Sequence, residues 1–168
     1  MPSYLDEFVE GRIYVETNIF LLAALADAKY GPSALRFLER SSGDKIELLT
    51  STLTIDEVSF VALKAKLEEK HGVMRNQVLY LKRNPDVVKA LASDVNQIVG
   101  NVLSLTTLVE VSTPDIQQMR LYLKEFGLLP RDAIHLAVAH RLGLAGVASN
   151  DSDFDRVPWL TRYAPREI

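Results

Sequence analysis

The sequence predicts an α/β fold, a three-layer α/β/α sandwich with a mostly parallel central sheet. Short apolar or β-branched runs, typical of strands, alternate with longer segments that have helical start signals and helical spacing. This alternation favours parallel strands joined by helices that cover both faces of the sheet. A chain of 168 residues can bury a core of its own, so we predict a single domain over residues 1–168, with residues 1–11 as an N-terminal extension.

The strands are predicted from short runs bounded by turn or helix-start residues. Four segments should form the body of the sheet and a fifth should lie at its edge. The segments are 12–15, 45–49, 106–111 and 146–149, with 160–163 as the edge strand.

The helices are predicted from their start and stop signals. The segments are 19–25, 31–40, a long helix from about 53, helical sequence over 64–104 with breaks near Gly72 and Pro85, then 113–126 and 130–142. Asn84-Pro85-Asp86 and Thr113-Pro114-Asp115 carry the same start signal, a capping side chain followed by proline and an acid.

One apolar seam recurs at helical spacing within the longest helical region. Its members, at steps of three and four, are Val88, Leu91, Val95, Ile98 and Val102. Such seams usually pack against the core of their own domain. The alternative is that the seam binds a partner protein or a second copy of the chain as a homodimer.

Composition restricts the kinds of site that the chain can build. The 48% of hydrophobic and 24% of charged residues, without low-complexity tracts, exclude a disordered protein. The absence of cysteine excludes disulfides, thiol catalysis and cysteine-ligated zinc, so any metal must bind oxygen or imidazole. We find no signal peptide or membrane span and expect a cytoplasmic protein. The net charge of −3 does not identify a partner, because neutralising an acidic metal site would leave a slight excess of Lys and Arg.

Acidic residues are predicted to meet at one edge of the sheet. In a parallel α/β fold the ends of the strands and the starts of the helices lie on the same edge, where ligands usually bind. Glu16 follows the first strand, Glu57 lies early in the helix after the second, Asp132 begins the helix before the fourth strand, and Asp151 follows that strand. Asp153 lies two residues further on and could join them.

Each acid also has a purely structural interpretation. Asp132 could complement a helix dipole, and Glu16 could be an exposed charge. Glu57 fits such an interpretation less well, because Leu53 and Val61 flank it on a partly apolar stripe where carboxylates are more often paired or metal-bound.

Two other metal patterns can be set aside. The Asp-x-Asp-x-Asp run at 151–155 resembles the start of an EF-hand, but Arg156 stands where that loop needs glycine. His135 and His140 are five residues apart, which places them on different faces of a helix, so we interpret both as ordinary helix residues. Oxygen ligands in a loose cluster favour Mg²⁺ or Mn²⁺, and hence metal-assisted chemistry on a phosphate.

Four stretches of the chain together resemble the PIN domain, as in VapC-like toxin ribonucleases. They are Tyr14-Val15-Glu16-Thr17-Asn18-Ile19-Phe20, Glu57 in its helix, Pro130-Arg131-Asp132-Ala133-Ile134-His135-Leu136-Ala137-Val138-Ala139 and Ser149-Asn150-Asp151-Ser152-Asp153-Phe154. The resemblance covers about residues 12–165, and the last two stretches are its more specific parts.

The resemblance implies a metal-dependent endoribonuclease that leaves a 5′-phosphate and a 3′-hydroxyl, and a toxin held in check by a small antitoxin protein. It further implies roles for individual residues. The metal ligands would be Glu16, Glu57, Asp132 and Asp151, with Asp153 as a further or water-mediated ligand, and Thr17, Asn18 and Ser149 would hydrogen-bond to them. Arg131 and Arg156, each beside an implied ligand, are the candidate RNA contacts.

Glu16 departs from the family pattern, which usually has Asp at this position. The additional methylene moves the carboxylate by about 1.5 Å, a large displacement for the near-octahedral shell of Mg²⁺. We therefore expect reduced but measurable nuclease activity. The alternatives are a catalytically inactive RNA-binding or scaffolding protein and, because no lysine follows a late strand, the less favoured phosphoacceptor domain of the receiver type.

Overall fold

A computed structural model describes residues 3–43 and 45–168, which form one sheet flanked by helices. The strands are β1 Ser3–Tyr4, β2 Gly11–Val15, β3 Ile46–Ser51, β4 Thr107–Val109, β5 Gly146–Ala148 and β6 Thr161–Ala164. The helices are α1 Thr17–Ala24, α2 Gly31–Arg40, α3 Thr52–His71, α4 Gln77–Arg83, α5 Pro85–Leu105, α6 Thr113–Glu125 and α7 Pro130–Arg141. Short 3-10 helices cover Leu5–Glu7 and Ser152–Arg156. The predicted three-layer α/β/α sandwich is confirmed.

The sheet has the strand order β1-β6-β5-β2-β3-β4, and all five neighbouring pairs are parallel. The prediction that residues 160–163 form an edge strand is wrong. Strand β6 lies between β5 and β1, because Ser3 and Tyr4 pair with Tyr163 and Ala164 and become the edge themselves. A strand of two residues is too short to leave a periodic signal in the sequence.

The core has a large apolar cluster on each face of the sheet, and β2 contributes to both. Ile13 and Val15 belong to the cluster that includes residues of α1, α2, α3 and α5, whereas Tyr14 belongs to the cluster that includes residues of α6 and α7. This alternation is the two-residue period of a strand. It buries β2 completely from Ile13 to Val15 and fixes the direction in which the following Glu16 leaves the sheet.

The apolar seam packs inside the chain. Ile98 and Val102 are buried in the first cluster with Val95 against them, while Leu91 is buried with Leu67 in a smaller third cluster. The core interpretation of the seam is therefore correct. Although α5 has 21 residues, neither it nor any other described helix is long and apolar enough to cross a membrane.

Two helices that share a start signal use their acids differently. Asp115 of α6 is 1% exposed; it accepts hydrogen bonds from the Ser112 backbone and hydroxyl, both at 2.7 Å, and from two nitrogens of Arg141 at 2.8 and 3.0 Å. Burial opposes its ionisation, but the Arg141 and Ser112 hydrogen bonds outweigh burial and lower the pKa of Asp115. Asp86 of α5 is 90% exposed and pairs only with Lys89 among the described residues.

Replacing Asp115 with Asn should lower the unfolding free energy by about 2 kcal/mol at pH 7, because hydrogen bonds to a charged group are lost. A carboxylate with a lowered folded-state pKa stabilises the protein above its unfolded pKa of about 3.9, and this contribution disappears as the pH falls through the folded value. The deficit should therefore shrink between pH 7 and pH 3. Urea unfolding followed by circular dichroism at the two pH values measures it.

The matched control is Asp86→Asn, which should cost about 0.5 kcal/mol or less because an exposed ion pair contributes little. Equal losses for the two variants, or a loss from Asp115→Asn that does not change with pH, would contradict this interpretation.

Candidate functional site

The five predicted acids lie at the edge of the sheet where β2, β3 and β5 end. Glu16 follows β2 directly and is the N-cap of α1, and Glu57 lies in α3, which follows β3. Asp132 is in the first turn of α7, while Asp151 precedes the 3-10 helix that contains Asp153. Parallel topology produces this arrangement, because each of these segments starts or ends at the same edge.

The acids form two groups that differ in burial. The inner group contains Glu16, Glu57 and His135, all buried, and the outer group contains Asp132, Asp151 and Asp153, all half-buried. Within each group one potential ligand atom per residue lies within 4.8 Å of the others. Such spacing is short enough for one cation to contact several carboxylates of a group.

The charges of the two groups act on each other. Burial raises the pKa of Glu16, and the carboxylates of Glu57 and Asp132 raise it further against an opposing effect of His135. Burial and the adjacent Asp151 raise the pKa of Asp132, with smaller contributions from Asp153 and Glu57. Both acids therefore resist ionisation in the metal-free protein, which is the condition that a bound cation relieves.

Glu57 is the best-supported carboxylate of the site. Its Oε2 accepts hydrogen bonds from the Thr17 hydroxyl and from His135 Nε2, the latter at 2.9 Å, and its Oε1 lies 3.5 Å from Arg131 Nε. Burial alone would raise the pKa of Glu57, but these neighbours outweigh burial and lower it. Glu57 is therefore ionised at neutral pH although it is only 8% exposed.

The interpretation of His135 as an ordinary helix residue is wrong. It is 1% exposed and lies in the inner group, with Nε2 on Glu57 and Nδ1 2.7 Å from the Tyr14 hydroxyl. Burial opposes its charged form, but Tyr14 and the carboxylates of Glu57 and Glu16 raise the pKa of His135 to about 10. The five-residue spacing between His135 and His140 gave no indication that His135 lies beside the acids. The informative spacing is the three residues from Asp132, which place both side chains on one face of α7.

The residues expected to hydrogen-bond to the ligands do contact them or one another. The Ser149 hydroxyl and the Asn18 backbone N–H each donate to Glu16 Oε2 at 3.3 Å. The Asn18 amide also donates to Ser149 Oγ at 3.1 Å, and the Asp151 backbone N–H donates to the same oxygen at 3.0 Å. This network links the end of β2 to the end of β5, and Thr17 links β2 to Glu57.

Both candidate RNA-contacting arginines lie beside the acids. Arg131 approaches Glu57 from outside with a largely exposed side chain. Arg156 lies 2.8 Å from Asp153 Oδ1 and donates to the Gly127 carbonyl at 3.0 Å. Positive charge at the rim of an acidic site could receive the phosphates of a nucleic acid, as well as form these ion pairs.

The donor set fits a hard divalent cation. His135 is a poor ligand as arranged, because one of its nitrogens contacts Glu57 and the other contacts Tyr14. The remaining donors of the two groups are the carboxylates of Glu16, Glu57, Asp132, Asp151 and Asp153. Oxygen donors of this kind suit Mg²⁺ or Mn²⁺.

Comparisons with known proteins agree with this fold. A sequence model of the PIN domain matches residues 13–160. Ribonuclease VapC2 of Methanocaldococcus jannaschii is 24% identical over 153 residues, which are 90% of this chain and 92% of that protein.

Solved structures share the fold at lower sequence identity. VapC20 of Mycobacterium tuberculosis, a toxin that cleaves the sarcin-ricin loop, is 16% identical with a TM-score of 0.61, over 89% of this chain and 97% of that one. A toxin–antitoxin complex from Klebsiella pneumoniae contains a chain that is 21% identical with a TM-score of 0.57, over 93% and 99% of the two chains.

Neutralising Asp132 should stabilise the metal-free protein, because Asp132 is crowded by Asp151 and Asp153. Relief of such repulsion typically contributes about 1 kcal/mol, so Asp132→Asn should raise the melting temperature in EDTA by about 2–4 °C. Thermal unfolding followed by circular dichroism measures the change.

Asp155→Asn, in the segment that also contains Asp153, is the matched comparison. Asp155 accepts two hydrogen bonds at 2.8 Å from the buried Arg162, so its neutralisation should lower the melting temperature. Changes of the same sign in the two variants would contradict the distinction between crowded and paired acids.

Proposed function

Because the chain belongs to the PIN domain family, we propose that it is a divalent-metal-dependent endoribonuclease that hydrolyses RNA phosphodiester bonds. The observation that carries this proposal is the convergence of Glu16, Glu57, Asp132 and Asp151, with Asp153, in two adjoining groups at one edge of the sheet. The names of its relatives support it, since one is a ribonuclease and another is a toxin that cleaves the sarcin-ricin loop.

The five carboxylates would hold Mg²⁺ or Mn²⁺ in this proposal. When bound, such an ion neutralises phosphate charge and lowers the pKa of a coordinated water, which supplies the attacking oxygen for hydrolysis. The contribution of the chain is to orient the carboxylates. Thr17 and His135 orient Glu57 and also keep it ionised, whereas Ser149 and Asn18 orient Glu16.

The rim arginines would position the RNA. Arg131 and Arg156 are the arginines that pair with the five acids among the described contacts, and both have exposed side chains. Contacts from arginine to phosphate oxygens fix the register of a nucleic acid without reading its sequence. We therefore assign them to binding of the RNA backbone.

We further propose that an antitoxin protein restrains this activity. Support comes from the Klebsiella pneumoniae toxin–antitoxin complex that shares the fold. A groove of 390 Å³ between α1, α2 and α5 offers an apolar surface, lined by Phe20, Leu38 and Val102 and by the partly exposed Leu35. An amphipathic segment of the antitoxin fits such a groove.

Replacing Asp132 with Asn should abolish metal-dependent RNA cleavage, because the outer group loses a charged ligand. The assay incubates purified protein with a single-stranded RNA in Mn²⁺, in Mg²⁺ and in EDTA, and identifies the product ends. We expect cleavage only with metal and a loss of at least about 100-fold in the variant, as for removal of a charge-stabilising group.

The surface variant Asp86→Asn serves as the control and should keep full activity, because Asp86 belongs to neither group. Cleavage that persists in EDTA, or that Asp132→Asn leaves intact, would contradict the proposal. Metal-independent RNA binding without cleavage in the wild type would instead favour the inactive RNA-binding alternative.

Glu16→Asp should increase the rate of cleavage. Glu16 is held at Oε2 by two long hydrogen bonds of 3.3 Å, and its additional methylene displaces the carboxylate by about 1.5 Å relative to Asp. Initial rates in Mg²⁺ and Mn²⁺ measure the effect, with the larger gain expected in Mg²⁺ because its coordination geometry is stricter. An unchanged or lower rate would show that Glu16 is not a compromised ligand.

A further inference from the structure

A buried chain of polar side chains connects the interior of the sheet to the acidic site. The Tyr14 hydroxyl lies 2.8 Å from Ser51 Oγ and 2.7 Å from His135 Nδ1, and His135 Nε2 lies 2.9 Å from Glu57 Oε2. Tyr14, Ser51 and His135 are at most 1% exposed. Ser51 is the N-cap of α3, but its side chain makes no capping hydrogen bond. Its hydroxyl oxygen accepts a hydrogen bond from Tyr14 instead.

The types of side chain in this hydrogen-bonded series determine which atom donates and which accepts in the contact between His135 and Glu57. A carboxylate can only accept hydrogen bonds, so His135 Nε2 must carry the proton and donate it. The Tyr14 hydroxyl donates its single proton to Ser51 Oγ, so Nδ1 donates to the Tyr14 oxygen. Tyr14 thus holds the imidazole ring with Nε2 directed at Glu57.

The two oxygens of Glu57 are differently engaged. Oε2 accepts from both His135 and Thr17 inside the protein. Among the described residues, Oε1 has only the longer contact of 3.5 Å with Arg131, whose side chain is 62% exposed. Oε1 is therefore the oxygen that remains for a cation.

We propose that His135, held by Tyr14, is a positioning residue that anchors Glu57 through Oε2 and so presents Oε1 to the metal. This inference rests on the proposed metal-dependent function. The imidazole is too deeply buried to touch RNA, and its hydrogen bond to a carboxylate of the site is the one to Glu57 Oε2. Loss of a residue that orients a metal ligand typically weakens metal binding by about 10–100-fold.

The same helix provides a matched control. The Tyr122 hydroxyl contacts His140 Nδ1. Both histidines of α7 therefore contact a tyrosine hydroxyl through Nδ1. Tyr14 and Tyr122 are both buried in the second apolar cluster. His140, in contrast, stacks on Trp159 at 4.7 Å between ring centroids and belongs to neither acidic group. Each variant removes one tyrosine hydroxyl that contacts a histidine Nδ1; the Tyr14–His135 pair is buried, whereas the Tyr122–His140 pair is part-buried and His140 is exposed.

The experiment titrates Mn²⁺ into metal-free wild type, Tyr14→Phe and Tyr122→Phe by calorimetry and records the melting temperature of each in EDTA. We expect Tyr14→Phe to weaken Mn²⁺ binding about tenfold or more, and Tyr122→Phe to leave it within about twofold of the wild type. Equal dissociation constants for the two variants would overturn the inference. The melting temperatures report any loss of folded protein separately from loss of metal binding.

A second pair of variants tests the positioning role of His135 if Tyr14→Phe does not fold. His135→Gln places an amide nitrogen near the Nε2 position, where it can still donate to Glu57. His135→Asn places an amide nitrogen near Nδ1 and loses that donor. We expect Mn²⁺ binding to be at least about tenfold weaker in the Asn variant than in the Gln variant. Equal affinities would mean that His135 only fills space.

The wild type and Glu57→Gln distinguish failure of this inference from failure of the proposed function. If wild type binds Mn²⁺ and Glu57→Gln abolishes the binding, equal affinities in the matched pairs overturn the positioning role alone. If wild type binds no Mn²⁺, both the metal-dependent function and the inference are overturned.

Discussion

Repulsion among carboxylates at the edge of the parallel sheet is the constraint on which the rest of the site depends. Strands β2, β3 and β5 end together, and the segments that follow or face them bring Glu16, Glu57, Asp132, Asp151 and Asp153 into two adjoining groups. Burial makes this crowding costly, because like charges out of water disfavour each other's ionisation. Burial raises the pKa of both Glu16 and Asp132, and the neighbouring carboxylates raise each pKa further. A divalent cation is the partner that would offset it.

Residues of the protein offset part of this repulsion, and they do so more in the inner group than in the outer group. The inner group contains the imidazole of His135, whose high pKa supplies a positive charge beside Glu57 and Glu16. The outer group is half-buried, and Arg156 pairs with its Asp153. Glu57 is consequently held in place and ionised without a metal, whereas the pKa of Asp132 stays raised.

Much of this architecture could be predicted from the sequence, and the exceptions have physical causes. Periodicity and start signals identified β2 to β6 and all the long helices, since those elements bury regular apolar faces. Strand β1 was not predicted, because two residues are too few to show a strand period. Without β1, strand β6 was predicted to be the edge of the sheet. The two Asn/Thr-Pro-Asp starts looked identical, yet Asp115 is buried against Arg141 while Asp86 is exposed. That difference is set by packing between α6 and α7, which local sequence does not contain.

The acids of the site were predictable because topology alone brings strand ends together, but their support was not. Tyr14 in a strand resembles a core residue, and only the tertiary structure directs its hydroxyl to His135. The most direct test of the account is a crystal soaked in Mn²⁺ and examined by anomalous scattering. We expect a peak in coordination contact with Glu57 and with at least one of Asp132 and Asp151. A Mn²⁺ peak bound elsewhere, with none at these carboxylates, would contradict the account.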